Sequence, residues 1–352
     1  MNIYYLADLE SRNFEGRTAI ALKIKDHLEK RGYYFTTDPE KADVIHVHSS
    51  GVLDSFTAYK LKKKYNLPCI FTLYSIGETE PINHVRNFIT QKKIAPQHTG
   101  NFLASYSAIV PIRWRSLFLQ KLDRIIVASS YSADKLKGNV KIIHFGIDQT
   151  KFKPLPKKST EDPSLSLNVG FFGHPAATKG ITDYITASKY FPKGIITHLF
   201  ASRITPELKS LAKKYNPEIV FHEFVENINK AYNEMEIIVL PYRNSLGAIS
   251  NPLVLLEAMA TEAAIVTTNI PFIKEIVQDT ALTIPPYSPK EIAKAVTFLA
   301  QNQKLREELG KKARTIILKS YREDNMLQQY ENIYQEIIPW SIKNEEEREK
   351  IS

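Results

Sequence analysis

The run Ser250-Asn251-Pro252-Leu253-Val254-Leu255-Leu256-Glu257-Ala258-Met259-Ala260 concentrates groups that can hold an anion. Asn251 is a good N-cap and Pro252 suits the first helical position. That placement leaves the amides of Leu253 and Val254 unpaired at the positive end of a helix dipole, a natural diphosphate site. Glu257 lies four residues beyond Leu253 on the same face, and its side chain leans back toward the helix start. There it would accept bonds from ribose hydroxyls. Ser250 and Asn251 stand at the same helix start and would meet sugar hydroxyls. The competing reading is structural: a capped, buried helix whose glutamate meets a surface lysine.

A second run, Val169 to Ile181, reads as strand, loop and helix. Gly173 lets a ligand approach the backbone, His174 follows it, and Lys179 sits at the next helix start as a counter-charge. The run matches neither the P-loop nor the dinucleotide fingerprint. Taken alone, these residues favour an ordinary strand-to-helix connection with an exposed lysine. His46 and His48 alternate on a strand and share a face, as metal ligands do, or form a cleft-lining or core pair. No Asp-x-Asp pair occurs, so a metal-held diphosphate has no support and no metal is expected. Pro111 to Leu119 mixes Arg113 and Arg115 with Trp114 and Phe118. With Arg86, Lys92 and Lys93 it would face anionic lipid or a lipid-phosphate acceptor. Otherwise it is a helix burying Trp114 and Phe118.

These groups need a scaffold, and the apolar pattern supplies one. Strands read at Ile3–Leu6, Asp43–His48, Cys69–Leu73, Arg124–Val127 and Val140–Ile143, with a helix over Thr18–Arg31. Lys153 to Pro163, rich in Pro, Lys and Ser, breaks the rhythm as a linker. Strands resume at Asn168–Phe172, Thr197–Phe200, Glu218–Phe221, Ile237–Leu240 and Ala264–Thr267. Alternating strands and helices imply parallel sheets, so the fold class is α/β: two doubly wound, Rossmann-like domains facing each other across a cleft. The division is a first domain over 1–152, a linker over 153–166, a second domain over 167–320 and C-terminal helices over 321–352. Lys304 to Trp340 reads as helix, packing back toward the first domain, and Lys343 to Lys350 as a solvated tail.

Composition narrows the classes. The 352 residues carry a net charge of +9 and 43% hydrophobic residues, enough for two cores and attractive to anionic partners. Cys69 is the only cysteine, which excludes an intrachain disulfide and a Cys-rich metal site. The start has no secretory pattern, and no run reaches the ~18–20 apolar residues of a membrane span. A cytoplasmic protein is expected, with peripheral membrane contact. The basic residues are dispersed and no recognition motif appears, so no nucleic-acid partner is expected.

In order and spacing, these stretches resemble family 4 of the retaining glycosyltransferases, the glycogen-synthase-like group 1 enzymes of GT-B fold, over nearly the whole chain. Gly173, His174 and Lys179-Gly180 stand where that family opens its second domain. Glu257 followed by Ala258-Met259-Ala260 is similar to the second glutamate of its signature. Asp43 to His48, His144 to Asp148 and Met235 to Pro241 resemble further family stretches. The sequence departs at Ile249, where the first signature glutamate would stand, and at His174, Glu262 and Tyr74. The first-domain glycine loop keeps only Gly16.

The resemblance implies a metal-independent, retaining hexosyltransferase with no cofactor. A UDP- or GDP-linked sugar would bind the second domain, and a glycan or glycolipid acceptor the first. The base would rest near Phe224 and Val225, and the Gly16 loop would close over the diphosphate. Lys179, Glu257 and Asn251 carry the catalytic expectation, with Leu253 and Val254 on the diphosphate. The rival is a non-catalytic paralogue that binds a nucleotide or a partner protein.

Overall fold

The computed structural model describes residues 1–9, 16–49, 54–77, 80–96, 112–156, 166–245 and 250–349, with backbone only at 115 and 338–349. Its strands are β1 (Asn2–Leu6), β2 (Tyr34–Thr36), β3 (Val44–Ser49), β4 (Cys69–Leu73), β5 (Arg124–Val127), β6 (Val140–Ile142), β7 (Leu167–Gly173), β8 (Ile195–Ala201), β9 (Val220–His222), β10 (Ile237–Leu240), β11 (Ala264–Thr268) and β12 (Ala281–Ile284). The helices are α1 (Gly16–Lys30), α2 (Asp54–Tyr65), α3 (Pro81–Ile94), α4 (Ile112–Arg115), α5 (Ser130–Ala133), α6 (Ile181–Ser188), α7 (Pro206–Tyr215), α8 (Ile228–Asn233), α9 (Leu253–Ala260), α10 (Pro271–Val277), α11 (Pro289–Gln301), α12 (Gln303–Ser320) and α13 (Glu323–Glu349).

Two parallel six-stranded sheets result, ordered β2-β1-β3-β4-β5-β6 and β12-β11-β10-β7-β8-β9. Their inner strands are buried along their length, as Cys69–Leu73 and Ile237–Leu240 are, because helices cover both faces of a parallel sheet. The sequence reading found these inner strands and missed β2 and β12. Each of those is an edge strand of three or four residues, and Tyr34 of β2 is 68% exposed. β9 begins two residues later than the Glu218 expected for it.

The chain divides into two compact units. The described residues within 1–77, 110–146 and 323–352 form the first, and those within 78–109 and 147–322 the second. This moves the boundary read at 152. Residues 147–152 go with the second unit, and so does α3, although it lies in the first half of the chain. Ile94 and Ala95, at 1% and 0% exposure, join the second unit's core with Phe171, Tyr184 and Leu208. A buried isoleucine of this kind contributes roughly 1.5–3 kcal/mol.

The helical stretch read over Lys304–Trp340 is divided at Tyr321-Arg322, beside the boundary read between 320 and 321. Ile147 offers a competing backbone partner there: its N–H donates to the Tyr321 carbonyl at 3.0 Å, and it bridges Arg322. α13 then packs in the first unit. Its buried Tyr330 and Tyr334 reach Thr72 at 3.2 Å and His46 at 2.5 Å. It continues as helix through most of the charged tail read as solvated. The linker is fastened at its start. The amides of Lys153 and Leu155 donate to the side chains of Asn229 and Asn233, at 3.1 and 2.7 Å. Residues 157–165 lie outside the described residues.

Candidate functional site

In the second unit, the carboxyl ends of β7 and β10 and the start of α9 carry the groups singled out in the sequence. β7 ends at Gly173, where an added Cβ would touch only the Phe171 ring, at 3.5 Å. His174 is exposed, its Nδ1 2.7 Å from Ser202 Oγ. The chain then makes a 3-10 turn over Ala177–Lys179 and enters α6 through Gly180, at φ 74°. Only glycine fits there: a Cβ would stand 1.9 Å from the Pro241 carbonyl oxygen. This contact locks the loop against the end of β10. Lys179 reaches over the ring of Tyr242, with Nζ 5.2 Å from its centre.

Tyr242 ties this loop electrostatically to Glu257. Burial, and then the charge of Glu257, push the Tyr242 phenol well above its ordinary range. Tyr232 of α8 behaves likewise, for the same two causes in the same order. Its neutral hydroxyl donates to Glu257 Oε2 at 2.8 Å. Phe172, next to the end of β7, packs on the Tyr232 ring at 4.4 Å and fixes it. Glu257 therefore holds the buried Tyr232 hydroxyl and acts through its charge on Tyr242. One carboxylate oxygen holds its helix to α8, and the side chain stays half-buried.

The start of α9 differs from the sequence reading. Pro252, not Asn251, is the N-cap, with φ −63° and ψ 117° and no side-chain cap bond. Its extended ψ keeps it outside the helix. The amides of Leu255 and Leu256 both donate to the Pro252 carbonyl, at 3.0 and 3.2 Å. Those of Leu253 and Val254 have no intrahelical acceptor. Asn251 is displaced from the cap and buried to 1% exposure, and among the described residues neither Oδ1 nor Nδ2 finds a hydrogen-bond partner. Such a buried amide costs about 1–3 kcal/mol unless something bonds it. Ser250 is buried beside it. Ile249 lies outside the described residues. Phe224 is 87% exposed and Val225 half-buried, between β9 and α8. Neither joins the contacts that link Lys179, Tyr242, Glu257 and Tyr232.

The sequence reading missed Tyr232, Tyr242 and Arg243. Arg243 is 5% exposed and grips Asp183 with two bonds of 2.7 Å, from Nε and Nη2. Nη2 also reaches Thr182 at 2.7 Å, and Nη1 reaches Asn87 at 3.2 Å. Position alone could have flagged Tyr242 and Arg243, because they follow the carboxyl end of a central strand, where doubly wound sheets bind ligands. Tyr232 carries no such signal.

The first unit holds a cavity of about 300 Å³ at the carboxyl ends of β1 and β3, lined in part by Asp8, Arg17, His48, Ser49, Asp54 and Tyr74. Gly16 opens α1 beside Arg17, and the loop before it lies outside the described residues. His46 and His48 are a buried pair, His48 Nε2 standing 3.3 Å from His46 Nδ1. Burial lowers the His48 imidazole to about 3 and holds His46 well below its usual range, with His48 adding to the effect. Both rings are therefore neutral, His46 within the core and His48 at the wall of the cavity. Trp114 is 61% exposed, contrary to a buried helix there, and Phe118 packs on Phe56 at 4.8 Å. Among the described residues no helix is long and apolar enough to cross a membrane.

Residues 166–302 match the family model of group 1 glycosyl transferases. CapM, a capsular polysaccharide biosynthesis glycosyltransferase of Staphylococcus aureus, is 26% identical over 200 residues, 54% of this chain and 50% of CapM. The match thus spans half the length of that relative. WclY, an O-antigen biosynthesis glycosyltransferase of Escherichia coli, is 22% identical over 355 residues, covering 95% of this chain and 89% of WclY. The structure of Anabaena HepE in complex with UDP-glucose superposes with a TM-score of 0.70 at 14% identity, covering 96% of this chain and all of that one (100%). The two parallel six-stranded sheets thus give this chain the GT-B fold, and its residues 166–302 are similar to the group 1 glycosyl transferases.

Proposed function

We propose that the protein transfers a hexose from a UDP- or GDP-linked donor to a glycan or glycolipid acceptor, with retention of anomeric configuration and without a metal ion. The observation that carries the donor reading is the start of α9. A buried, unpartnered Asn251 amide stands there beside two amides with no intrahelical acceptor, all within one unit with Lys179. The Leu253 and Val254 amides and the Lys179 ammonium would take the charge that grows on the departing diphosphate. Asn251 and Ser250 would meet the sugar, and Glu257, braced by Tyr232, the ribose. In the retaining step the acceptor oxygen bonds to the anomeric carbon on the face that the phosphate oxygen leaves. The acceptor proton passes to that departing oxygen.

The relatives support a polysaccharide setting: CapM serves capsular polysaccharide and WclY O-antigen biosynthesis, and HepE was solved with UDP-glucose. The first-unit cavity, with Arg17 and Ser49 among the carboxylates Asp8 and Asp54, suits acceptor hydroxyls. Work at a membrane surface as a peripheral cytoplasmic enzyme fits the exposed Trp114 and Leu117 near Arg113 in the first unit. In the second unit, Ile82, Val85 and Ile89 of α3 are exposed beside Arg86, Lys92 and Lys93.

The test is a transfer assay with UDP- and GDP-sugars on membrane lipid extract and simple glycosides, in chelator, with the product anomer read by NMR. Retained product is expected. An inverted product, or loss of transfer in chelator, would overturn those parts of the reading. The second reading, a nucleotide-binding paralogue, is favoured by Ile249 in place of an acid. Tight nucleotide binding with neither transfer nor donor hydrolysis would support it.

A further inference from the structure

The loop that carries Lys179 is braced by a helix from a distant part of the chain. Gln91 of α3 bonds it at two points: the Ala177 N–H donates to Gln91 Oε1 at 2.8 Å, and Gln91 Nε2 donates to the Pro175 carbonyl at 3.3 Å. The Arg243 N–H donates to the Thr178 carbonyl at 2.9 Å, and Gly180 is jammed against Pro241. Backbone groups of residues 175, 177, 178 and 180 are thus all held, and the Lys179 side chain projects from a fixed turn. α3 is itself anchored through Ile94 in the core. Its Asn87 lies between Arg243 at 3.2 Å and Tyr287 at 3.1 Å. A charge stabilises a developing anion best when it needs no reorganisation, so a rigid turn under Lys179 has a direct electrostatic use.

We propose that Gln91 is a positioning residue for the donor diphosphate, acting through the Pro175–Gly180 turn on Lys179. The proposal rests on the reading of Lys179 as the diphosphate clamp. Without Gln91, the buried Ala177 amide loses its acceptor and the turn its tie to α3. The Lys179 ammonium then samples positions away from the phosphates.

The experiment is calorimetry of the full chain with UDP and GDP, and with uridine and guanosine, on wild type, Gln91→Ala, Gln91→Glu, Lys179→Ala and the Gln91→Ala/Lys179→Ala double variant. Gln91→Ala is expected to weaken diphosphate binding about three- to tenfold, the size of one lost neutral hydrogen bond, and to leave nucleoside binding nearly unchanged. In the Lys179→Ala background the same change should add nothing, because the charge that it positions is gone. Gln91→Glu keeps an oxygen for the Ala177 N–H and should fall between wild type and Gln91→Ala, which serves if the alanine variant fails to fold. Equal loss for nucleoside and diphosphate, or a full additional loss in the double variant, would overturn the proposal. If Lys179→Ala weakens diphosphate binding and neither Gln91 variant does, only the positioning role falls. If Lys179→Ala itself changes nothing, the clamp reading falls and the proposal with it.

Discussion

Replacing Asn251 with leucine should make the protein more stable and less able to hold its donor. The side chain is buried to 1% exposure, and both polar atoms of its carboxamide lack partners among the described residues. A buried amide without partners costs about 1–3 kcal/mol relative to one that is bonded. Leucine removes that cost and adds apolar contact, but its branched end is larger than the amide and gives back part of the gain through crowding. A net gain of about 1 kcal/mol is expected, roughly 2–4 °C in Tm for a unit of this size. The donor should respond the other way. With the amide gone, nucleotide-sugar loses a sugar contact of about 0.5–1.5 kcal/mol, and turnover should fall further than affinity for the bare nucleotide. The assay is chemical denaturation of both proteins with and without UDP and GDP, followed by kcat and KM for transfer. A leucine variant that is destabilised yet binds and turns over normally would show that the amide is a structural element of the α9 entry. The reasoning from its missing partners would then fail.

Three other outcomes follow from the same structure. His46 and His48 are neutral when folded and ordinary when unfolded, so the unfolded chain gains protons that the folded one refuses as pH drops below ~6.5. Their contribution is whole above that pH and drains toward pH 3, at up to about 2.7 kcal/mol per pH unit for the pair. Urea unfolding between pH 7 and 5 should show a slope lower by about one proton in His48→Asn, and an unchanged slope would mean that His48 is protonated in the fold. Arg243→Met should cost about 3–5 kcal/mol by stranding buried Asp183, and the Arg243→Met/Asp183→Leu pair should recover most of it. A double variant as unstable as the single would place the loss elsewhere. Vesicles of anionic lipid should bind the protein at low salt and less at high salt, and Ile82→Glu with Ile89→Glu should weaken the binding. Equal binding to neutral vesicles would remove the charge part of that reading.

The sheets were legible in the sequence because a buried parallel strand must be apolar along its whole length, and Cys69–Leu73 and Ile237–Leu240 are. Two of the four edge strands, β2 and β12, escape that rule. β2 and β12 are short and half-exposed, so their residues look like any loop. The boundary read at 320–321 coincides with the division between α12 and α13, but its cause lies far from it. Nothing local in Ser320-Tyr321-Arg322 stops a helix; the cause is a backbone bond to Ile147, far away in the chain. The placement of α3 in the second unit was hidden, since its inward Asn87 and Gln91 only acquire meaning beside Arg243 and Ala177.

The site divides along similar lines, and the division has a physical cause. Gly173, Lys179 and Glu257 were readable because a ligand with charge and hydroxyls needs those residue types at strand and helix ends. The residues that hold them are read only in three dimensions. The Arg243 side chain makes four hydrogen bonds to protein, two of them to Asp183, and Gln91 makes two to the backbone of the turn that carries Lys179. Asn251 is the opposite case: more deeply buried than either, and left without partners among the described residues. A buried polar group that the fold satisfies is scaffold, and one that the fold leaves unsatisfied at an open helix start is reserved for something that arrives. On that distinction the donor contacts fall to Asn251 and the α9 amides, whereas the charge of Arg243 is already paired with that of buried Asp183.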